Sequence, residues 1–286
     1  MKLSVITINY NNAEGLKRTL ASVAEQHYRD IEHIVIDGGS TDCSVDIIKQ
    51  YVSSNPNSDP FFKQTIKWVS EKDNGIYNAM NKGIRKATGA YIQILNSGDI
   101  LATSDAAERM IAAIEKAEYP ELLYGNMIKK NYATGKIFGK SGKVEYSLRQ
   151  YYCSTLNHDC CYIRRDLFEK YGLYDEKLKI VSDWKWFLQA IGLGQVKPEY
   201  VDIDVTIFDA SGISETNLAL RNQERRQVLE ELLPPAILAD YDAHAFEIEQ
   251  MNRLRRRHLY GLVYFIERVL FKLERWRILK NLNEYV

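Results

Sequence analysis

The sequence predicts an α/β fold in which a largely parallel β-sheet is covered by helices on both faces. Short apolar runs rich in Val and Ile alternate, over the first hundred residues, with stretches whose apolar residues recur at helical spacing. Strands and helices in this order pair in parallel through right-handed crossovers. The chain has 286 residues, of which 45% are hydrophobic, so it is long enough to bury a core without disulfide bonds.

Four apolar runs predict four strands, at residues 3–8, 33–36, 66–69 and 91–95. The first two are almost continuously apolar, which is typical of strands buried on both faces. Three helices are predicted between the strands, each from apolar residues on one face: Leu16, Leu20 and Val23 in the first, Val45, Ile48 and Val52 in the second, and Ile76, Met80 and Ile84 in the third.

Polar residues follow every one of these strands. They are Asn9 and Tyr10, then Asp37, then Asp73, and finally the run from Asn96 to Asp99. Ligands of parallel α/β sheets bind beyond the carboxyl ends of the strands, so these side chains are expected to share one crevice. Carboxylates there can accept hydrogen bonds from a base or ribose, or hold a divalent cation that binds phosphates. The alternative is structural, because Asp and Asn after strands also cap helices and form Asx-turns.

Composition and motifs exclude several other classes of protein. Lys plus Arg and Asp plus Glu both number 38, so there is no excess positive charge of the kind that binds nucleic acid. The glycine-rich fingerprints of dinucleotide and P-loop sites are absent from the sequence. Four cysteines without a C-x₂-C spacing favour neither a disulfide scaffold nor a zinc site. With no signal-peptide pattern and no long apolar stretch, the chain is expected to be cytoplasmic.

Four blocks of sequence, taken in order, resemble the family 2 glycosyltransferases. The blocks are SVITINYNN, VIDGGSTDCS, SEKDNGIYNAMNKGI together with GAYIQILNSGD, and HDCCYIRRDLFEKYGLYDEKLKIVSDWKWFLQ. The resemblance covers residues 1–215. It implies the GT-A fold, a Rossmann-like nucleotide-binding mixed sheet flanked by helices, and an inverting transferase that uses a nucleotide sugar.

The resemblance also implies a nucleotide-sugar site at the strand ends. Tyr10 matches the aromatic residue that lies against the base, Asp37 matches the carboxylate that contacts uracil, and Asp73 matches the polar residue that completes the nucleotide pocket. Asn9 and Asn96, at the ends of the first and fourth strands, are assigned to the same site.

Two further carboxylates are implied to carry the chemistry. Asp99 matches the last carboxylate of the D-x-D type motif, which binds Mg²⁺ or Mn²⁺ on the diphosphate, and Asp183 matches the general base that takes the proton of the acceptor hydroxyl. The chain departs from the family pattern beside both residues, with Asn96 for the first Asp of the motif and Ser182 for the Glu before the base. Mg²⁺ tolerates such a change, because it often uses one or two carboxylates plus phosphates and water.

Three more residues are assigned to the site by position. Many family members carry an Arg where this chain has Met80, and Lys82 is the nearby candidate for a diphosphate contact. His158 matches a His that faces the acceptor or diphosphate side of the cleft, with a structural imidazole as the alternative. Trp184, beside Asp183, is expected to stack on the apolar face of an acceptor sugar.

The sequence divides into a catalytic domain, residues 1–215, and a helical extension, residues 216–286. The nucleotide half is expected at about residues 1–100 and the acceptor half at about 101–215. Residues 251–286 carry nine Lys or Arg and three Glu between apolar residues at helical spacing. This pattern predicts a basic amphipathic helix on an anionic membrane surface. The alternative is a helix that packs on the catalytic domain or on a second subunit.

The sequence therefore favours an inverting glycosyltransferase with a UDP-sugar donor and a glycan or lipid-linked acceptor, acting in cell-surface polysaccharide assembly. It would work in the cytoplasm, at the inner face of the membrane where the C-terminal helix binds lipid. Two alternatives stay open: a sugar nucleotidyltransferase, disfavoured because no Gly-rich basic loop follows the first strand, and a catalytically silent binding module, suggested by Asn96 and Ser182. Donor sugar, linkage and homo-oligomerisation are left open.

Overall fold

The computed structural model of the protein describes residues 1–54, 65–132, 134–210, 217–244, 261, 265–266 and 268–271. Residue contacts separate two compact units, Met1–Glu231 and Leu232–Val286. The first unit contains a nine-stranded mixed sheet flanked by helices, so the predicted α/β class is confirmed. In the described stretches, no helix has both the length and the apolar character that a bilayer crossing requires.

The strands lie in the order β3-β2-β1-β4-β8-β6-β9-β5, and β7 pairs with β6. Their bounds are β1 Leu3–Asn9, β2 Ile31–Asp37, β3 Thr65–Ser70, β4 Tyr91–Ile94, β5 Ile100–Leu101, β6 Leu122–Lys130, β7 Ile137–Lys140, β8 Cys161–Arg164 and β9 Pro198–Asp209. The four predicted strands correspond to β1 to β4, and these four strands pair with one another in parallel. The next pair, β4 with β8, is antiparallel.

The helices of the first unit are α1 Ala13–Ala24, α2 Ser44–Ser54, α3 Ile76–Lys86, α4 Ala106–Lys116, α5 Leu148–Cys153, α6 Leu167–Lys170, α7 Ser182–Phe187 and α8 Leu218–Leu232. A 3₁₀ turn, His158–Cys160, precedes β8, and a π-helical turn, Leu188–Gly192, continues α7. In the second unit, residues 235–244 are helical.

The sequence explains how the first three helices pack on the sheet. The Asn12 side chain accepts a hydrogen bond from the Gly15 amide and so caps α1. Buried Leu16, Leu20 and Ile48 then pack against β2. Helix α3 approaches β1 closely at Gly83, where an added Cβ would come within 2.3 Å of Ile6 Cγ2. The missing side chain therefore sets how near α3 lies to the strand ends.

The parallel register brings the polar strand ends to one edge of the sheet. Asn9 of β1 pairs with Asp37 of β2, which in turn pairs with Ser70 of β3. Residues 96–99 follow β4 at the same edge, since Ser97 donates its amide hydrogen to the Ile8 carbonyl, 2.9 Å away. This arrangement follows from parallel pairing and is the edge at which ligands of such sheets bind.

The second half of the sheet is antiparallel and irregular. Strand β8 lies between β4 and β6 and is antiparallel to both, whereas the long β9 is parallel to β6 with two register shifts. Residues 158–160 enter β8 and residues 182–187 form α7, so the polar residues of this half come from segments that are distant in sequence.

The first compact unit extends beyond the predicted catalytic domain of residues 1–215. Helix α8 contacts it through Glu224, whose carboxylate accepts the amide hydrogens of Lys179 and Ile180 at 2.7 and 2.9 Å. The functional division at residue 215 stays a prediction. Most of residues 251–286, the predicted membrane helix, lies outside the described residues.

Candidate active site

A cavity of about 870 Å³ opens at the carboxyl ends of β1, β2 and β4, within the first compact unit. Seven of the ten predicted site residues line it: Asn9, Tyr10, Asp73, Asn96, Asp99, His158 and Asp183. Three do not line it: Asp37, Lys82 and Trp184. Residues more than 170 positions apart in the chain therefore share one concave site.

One group of lining residues, the Tyr10 cluster, consists of Tyr10, Gly38 and Asp73. The Tyr10 ring is 66% exposed, so its face is available to a ligand. Gly38 lies between the other two, because a Cβ at this position would come within 3.3 Å of Tyr10 Cδ2 and 3.1 Å of Asp73 Oδ2. The ring and the carboxylate thus both lie close to the Gly38 backbone, and an exposed ring near a carboxylate suits a flat heteroaromatic group with a hydrogen-bond donor.

Asp37, predicted to contact the nucleotide, does not line the cavity. Asp37 is fully buried, and its carboxylate accepts hydrogen bonds from Asn9 Nδ2, from the Ser40 amide and hydroxyl, and from Ser70 Oγ. Burial raises its pKa, but these donors outweigh burial and hold the pKa below its usual range. The next two residues, Gly38 and Gly39, line the cavity instead. Asp37 joins β1, β2 and β3 behind the site.

Asn9 lines the cavity, but its amide is used internally. Its Nδ2 donates to Asp37 Oδ1 at 2.8 Å and to Ser40 Oγ at 3.2 Å. Asn9 is 4% exposed. It therefore shapes the floor of the cavity beside Tyr10, and its hydrogen-bonding hydrogens point towards the protein.

Lys82 does not line the cavity, and its ammonium group pairs with two carboxylates of the chain. Lys82 Nζ contacts Asp73 Oδ1 and lies 2.8 Å from Glu71 Oε1. Two other lysines, Lys72 and Lys179, line the cavity, and neither side chain has an ion-pair partner among the residues that the structure describes. Sequence reasoning missed both, since a lysine in a loop carries no periodic signal.

Asp99 lies in a tight turn after β4. The Asp99 amide donates to the Asn96 carbonyl at 3.0 Å, and Gly98 has a φ of 111°, which favours glycine. The carboxylate is 3% exposed and accepts a hydrogen bond from the Asp209 amide at 2.8 Å. Burial and the nearby charge of Asp159 raise the pKa of Asp99 well above its usual range.

These residues fit a divalent cation that is completed by a ligand. Asp99 and Asp209 both line the cavity, and no ion pair joins Asp99 to a Lys or Arg in the described part of the chain. Within the same part, no cluster of three or more His, Cys, Asp or Glu residues is arranged to hold a metal. A buried carboxylate with a raised pKa favours a cation, and phosphates and water would supply the other ligands, as Mg²⁺ commonly requires.

A second group of lining residues, the Asp183 cluster, consists of Tyr77, His158 and Asp183, with Asn96 beside it. Asp183 Oδ2 lies 2.9 Å from His158 Nδ1, and Asp183 Oδ1 lies 2.9 Å from the Tyr77 hydroxyl. The other ring nitrogen, His158 Nε2, lies 3.1 Å from the Asn96 side-chain amide. Sequence reasoning missed Tyr77, although it lies four residues after Asp73 in the block GIYNAMN.

The charges of the Asp183 cluster support an ion pair at neutral pH. Burial alone would lower the pKa of His158, but the hydrogen bond to Asp183 and the charges of Asp183, Asp159 and Asp99 raise it to about 9. Burial raises the pKa of Asp183, but His158 and the Tyr77 hydrogen bond outweigh burial and hold it below its usual range. An imidazolium donates from both ring nitrogens, so the Asn96 side-chain amide is assigned with its oxygen towards His158 Nε2. With this orientation Asn96 Oδ1 accepts a hydrogen bond; in the opposite orientation it is buried without a partner among the described residues.

The structure contradicts the prediction that Trp184 offers its face to a sugar. Trp184 is 2% exposed, and its Nε1 donates to the Tyr151 carbonyl at 2.6 Å. The Arg225 guanidinium of α8 covers its ring, 4.6 Å from the ring centroid. On α7 the side chain of Trp184 thus points into the core while that of its neighbour Asp183 points into the cavity. Trp186 is also buried.

Comparison with solved structures identifies the class of protein. S. aureus TarS 1–349 in complex with UDP-GlcNAc is similar with a TM-score of 0.62 at 19% identity, over 80% of this chain and 64% of that longer chain. Mannosyltransferase PcManGT from Pyrobaculum calidifontis, in complex with GDP-Man and Mn²⁺, is similar with a TM-score of 0.61 at 18% identity, over 86% and 69% of the two chains. At these identities the likeness establishes the fold, which is the GT-A fold of glycosyltransferases.

Comparison with protein sequences identifies the family. The model of Glycosyl transferase family 2 matches residues 4–172, and the chain belongs to this family. An uncharacterised glycosyltransferase of Mycobacterium tuberculosis is 32% identical over 214 residues, which is 74% of this chain and 76% of the relative. A PGL/p-HBAD biosynthesis glycosyltransferase of Mycobacterium bovis is 28% identical over 211 residues, or 73% and 77% of the two chains. The protein is a glycosyltransferase, as the sequence predicted.

Proposed function

We propose that the protein transfers a sugar from a UDP-sugar to a glycan or lipid-linked acceptor, with inversion at the anomeric carbon. The observation that carries this proposal is that Asp99 and Asp183 line the same cavity as Tyr10 and Asp73. A cation-binding carboxylate, a base and a nucleotide pocket are the three parts that such a transfer needs.

The nucleotide is proposed to bind at the Tyr10 cluster. The exposed Tyr10 ring stacks on the base, and Asp73 Oδ2, close to the Gly38 backbone, accepts a hydrogen bond from a base N–H. Fold neighbours solved in complex with UDP-GlcNAc and with GDP-Man support a nucleotide-sugar donor. The lysines Lys72 and Lys179, which line the cavity, supply positive charge for the diphosphate.

Mg²⁺ or Mn²⁺ is proposed to bind at Asp99. The structure of the fold neighbour PcManGT holds Mn²⁺, which supports this proposal. When bound, the cation would stabilise the negative charge of the leaving diphosphate.

The base is proposed to be Asp183. The acceptor hydroxyl oxygen forms a bond to the anomeric carbon while the bond from that carbon to the diphosphate oxygen breaks, and the hydroxyl proton passes to the Asp183 carboxylate. His158 and Tyr77 hold the Asp183 carboxylate, one on each oxygen, and Asp183 lines the cavity in which the acceptor would bind. The imidazolium of His158 keeps Asp183 ionised until the proton arrives.

The acceptor is proposed to be held at a membrane surface by residues 251–286, on the cytoplasmic side. Most of this segment lies outside the described residues, but its described helical residues expose five apolar side chains: Phe265, Ile266, Val269, Leu270 and Phe271. The name of the M. bovis relative, a PGL/p-HBAD biosynthesis glycosyltransferase, supports a glycolipid-related acceptor. We expect the full chain to bind vesicles that contain anionic lipid. A chain without residues 251–286 should lose this binding but should still bind UDP. Equal vesicle binding by both proteins would overturn the membrane proposal.

The transfer itself is tested by a screen of donor hydrolysis. UDP- and GDP-sugars are incubated with the full chain and Mg²⁺ or Mn²⁺, and nucleoside diphosphate release is measured without acceptor. We expect release from a UDP-sugar, with the freed sugar inverted when its anomer is read at once by NMR. Release from GDP-sugars only would overturn the assignment of uracil as the donor's nucleobase. A freed sugar of retained configuration would overturn the inverting mechanism.

A further inference from the structure

Tyr77 of α3 contacts the proposed base in a way that the reaction above does not explain. Its side chain is 4% exposed, and its ring packs on Tyr174 with 5.7 Å between ring centroids. The Tyr77 hydroxyl lies 2.6 Å from the Ile180 carbonyl oxygen and 2.9 Å from Asp183 Oδ1. A buried hydroxyl is thus shared between two acceptors.

A phenol has a single hydrogen and cannot donate to both oxygens at once. When Asp183 is ionised, donation to Asp183 Oδ1 satisfies the carboxylate. When Asp183 carries a proton on Oδ1, the carboxyl can donate to the Tyr77 oxygen, and Tyr77 can donate to the Ile180 carbonyl. Both arrangements use the same heavy-atom positions, so only a hydroxyl hydrogen turns.

The other side-chain partner of Asp183 cannot make this exchange. His158, with its pKa raised to about 9, is an imidazolium at neutral pH and can only donate. It therefore favours the ionised carboxylate and opposes the protonated form that follows proton transfer. Burial and the charge of Asp183 raise the pKa of Tyr77 well above its usual value, so the phenol stays protonated and is not itself the base.

We propose that Tyr77 is a positioning residue that holds Asp183 in both protonation states, by turning its hydroxyl hydrogen between Asp183 Oδ1 and the Ile180 carbonyl. This inference rests on the proposed function, in which Asp183 takes the acceptor proton. It assigns α3, otherwise part of the nucleotide half, a role in the proton transfer.

Other charged groups act on Asp183 and stay constant in the test. His158 contacts it directly, Asp99 and Asp159 act on His158, and Arg225 of α8 acts on Asp183 from the side of Trp184. None of them is changed by a substitution at position 77. A change in the pH profile is then attributable to the Tyr77 hydroxyl.

The test compares Tyr77→Phe with Tyr174→Phe, a matched control. Among the described residues the buried Tyr174 hydroxyl has no hydrogen-bond partner, so its removal costs no hydrogen bond there. The probe is UDP-GlcNAc with Mn²⁺, or whichever donor sugar the screen identifies, with water as the acceptor. For Tyr77→Phe we expect kcat/KM to fall about 10- to 100-fold, the loss of one hydrogen bond to a charged group. The acid limb of the pH profile of kcat/KM should move to higher pH, because the ionised Asp183 carboxylate loses a hydrogen-bond donor and its pKa rises.

Calorimetric UDP affinity should stay unchanged in both variants, and Tyr174→Phe should keep the wild-type pH profile. The inference would be overturned if a folded Tyr77→Phe protein had the same kcat/KM, and the same acid limb in its pH profile, as Tyr174→Phe. If Tyr77→Phe does not fold, the same test is made with 3-fluorotyrosine at position 77. Its hydroxyl is a stronger hydrogen-bond donor, so the acid limb of the pH profile should move to lower pH. An acid limb that does not move would overturn the inference. An Asp183→Asn variant that keeps its rate would instead remove the proposed base, whatever happens at Tyr77.

Discussion

The two clusters of the cavity differ in how their polar groups are held. In the Tyr10 cluster the ring is largely exposed to solvent. In the Asp183 cluster, both carboxylate oxygens already have partners within the protein, His158 and Tyr77. The first arrangement suits recognition, because a ligand can supply the missing contacts. The second suits chemistry, because the reacting group is fixed before the substrate binds.

Substitutions in the two clusters should therefore have separable effects on donor binding and on turnover. Changes in the Tyr10 cluster should weaken donor binding and leave turnover at saturation intact. Changes in the Asp183 cluster should lower turnover and leave donor binding intact. The predictions below test this separation.

The largest effect is expected for Asp183→Asn. The amide keeps the size of the carboxylate but cannot take a proton, so kcat for donor hydrolysis should fall about 10²- to 10⁴-fold, the usual contribution of a general base. UDP affinity by calorimetry should not change. A variant that keeps more than about a tenth of the wild-type rate would rule out Asp183 as the base.

A large effect on metal binding is expected at Asp99. Its raised pKa means that a proton competes with the cation, so Mn²⁺ affinity in the presence of UDP should rise with pH, by up to about tenfold per pH unit while the carboxyl is protonated. Asp99→Asn should lose most Mn²⁺ affinity and the pH dependence, as read by electron paramagnetic resonance of free Mn²⁺. Asp105→Asn, outside the cavity, is the control and should bind as the wild type does. A flat affinity from acid to alkaline pH would contradict the proposed cation site.

A smaller effect is expected for Tyr10→Ala. Loss of one stacking contact with the base should raise the Kd for UDP about tenfold, within the usual range for base–aromatic stacking. Tyr10→Phe keeps the ring and should bind normally, which separates stacking from the hydroxyl. Turnover at saturating donor should stay at the wild-type value, and a matching loss of kcat would erase the distinction between the two clusters.

The sequence predicted the parallel half of the fold well because its signals are local. Apolar runs and helical stripes located β1 to β4 and α1 to α3, since strand and helix periodicities are read within a few residues. Asp37 shows the limit of such local signals. The sequence placed it at the end of β2, but its burial depends on donors that come from β1 and β3.

The Asp183 cluster could be predicted only in part. The resemblance to family 2 indicated Asp183 and His158, but the hydrogen bond between them and the contribution of Tyr77 depend on segments 25 and 106 positions apart in the chain. Such contacts are set by tertiary packing and leave no periodic trace. The burial of Trp184 was missed for the same reason, because its covering residue, Arg225, comes from α8.

The smallest effect is a pH-dependent change of stability at the His158–Asp183 pair. Because folding raises the pKa of His158 to about 9, the pair's contribution is complete below the unfolded His pKa of about 6.5 and is lost as the pH rises through about 9. Asp183, with its lowered pKa, contributes above its unfolded value of about 3.8 and loses this contribution only in stronger acid. The melting-temperature difference between wild type and His158→Gln should therefore be largest between about pH 5 and 6.5 and shrink towards pH 9.

The control for this measurement is Asp183→Asn, which removes the same pair from its other side. Its melting-temperature difference from the wild type should also shrink towards pH 9, because either substitution removes the partner that opposes the effect of burial on the other residue's pKa. A difference that is constant across this pH range in both variants would mean that His158 is neutral in the folded protein. In that case Asp183 would hold its hydrogen bond from an uncharged imidazole, and the contrast between the two clusters would rest on geometry alone.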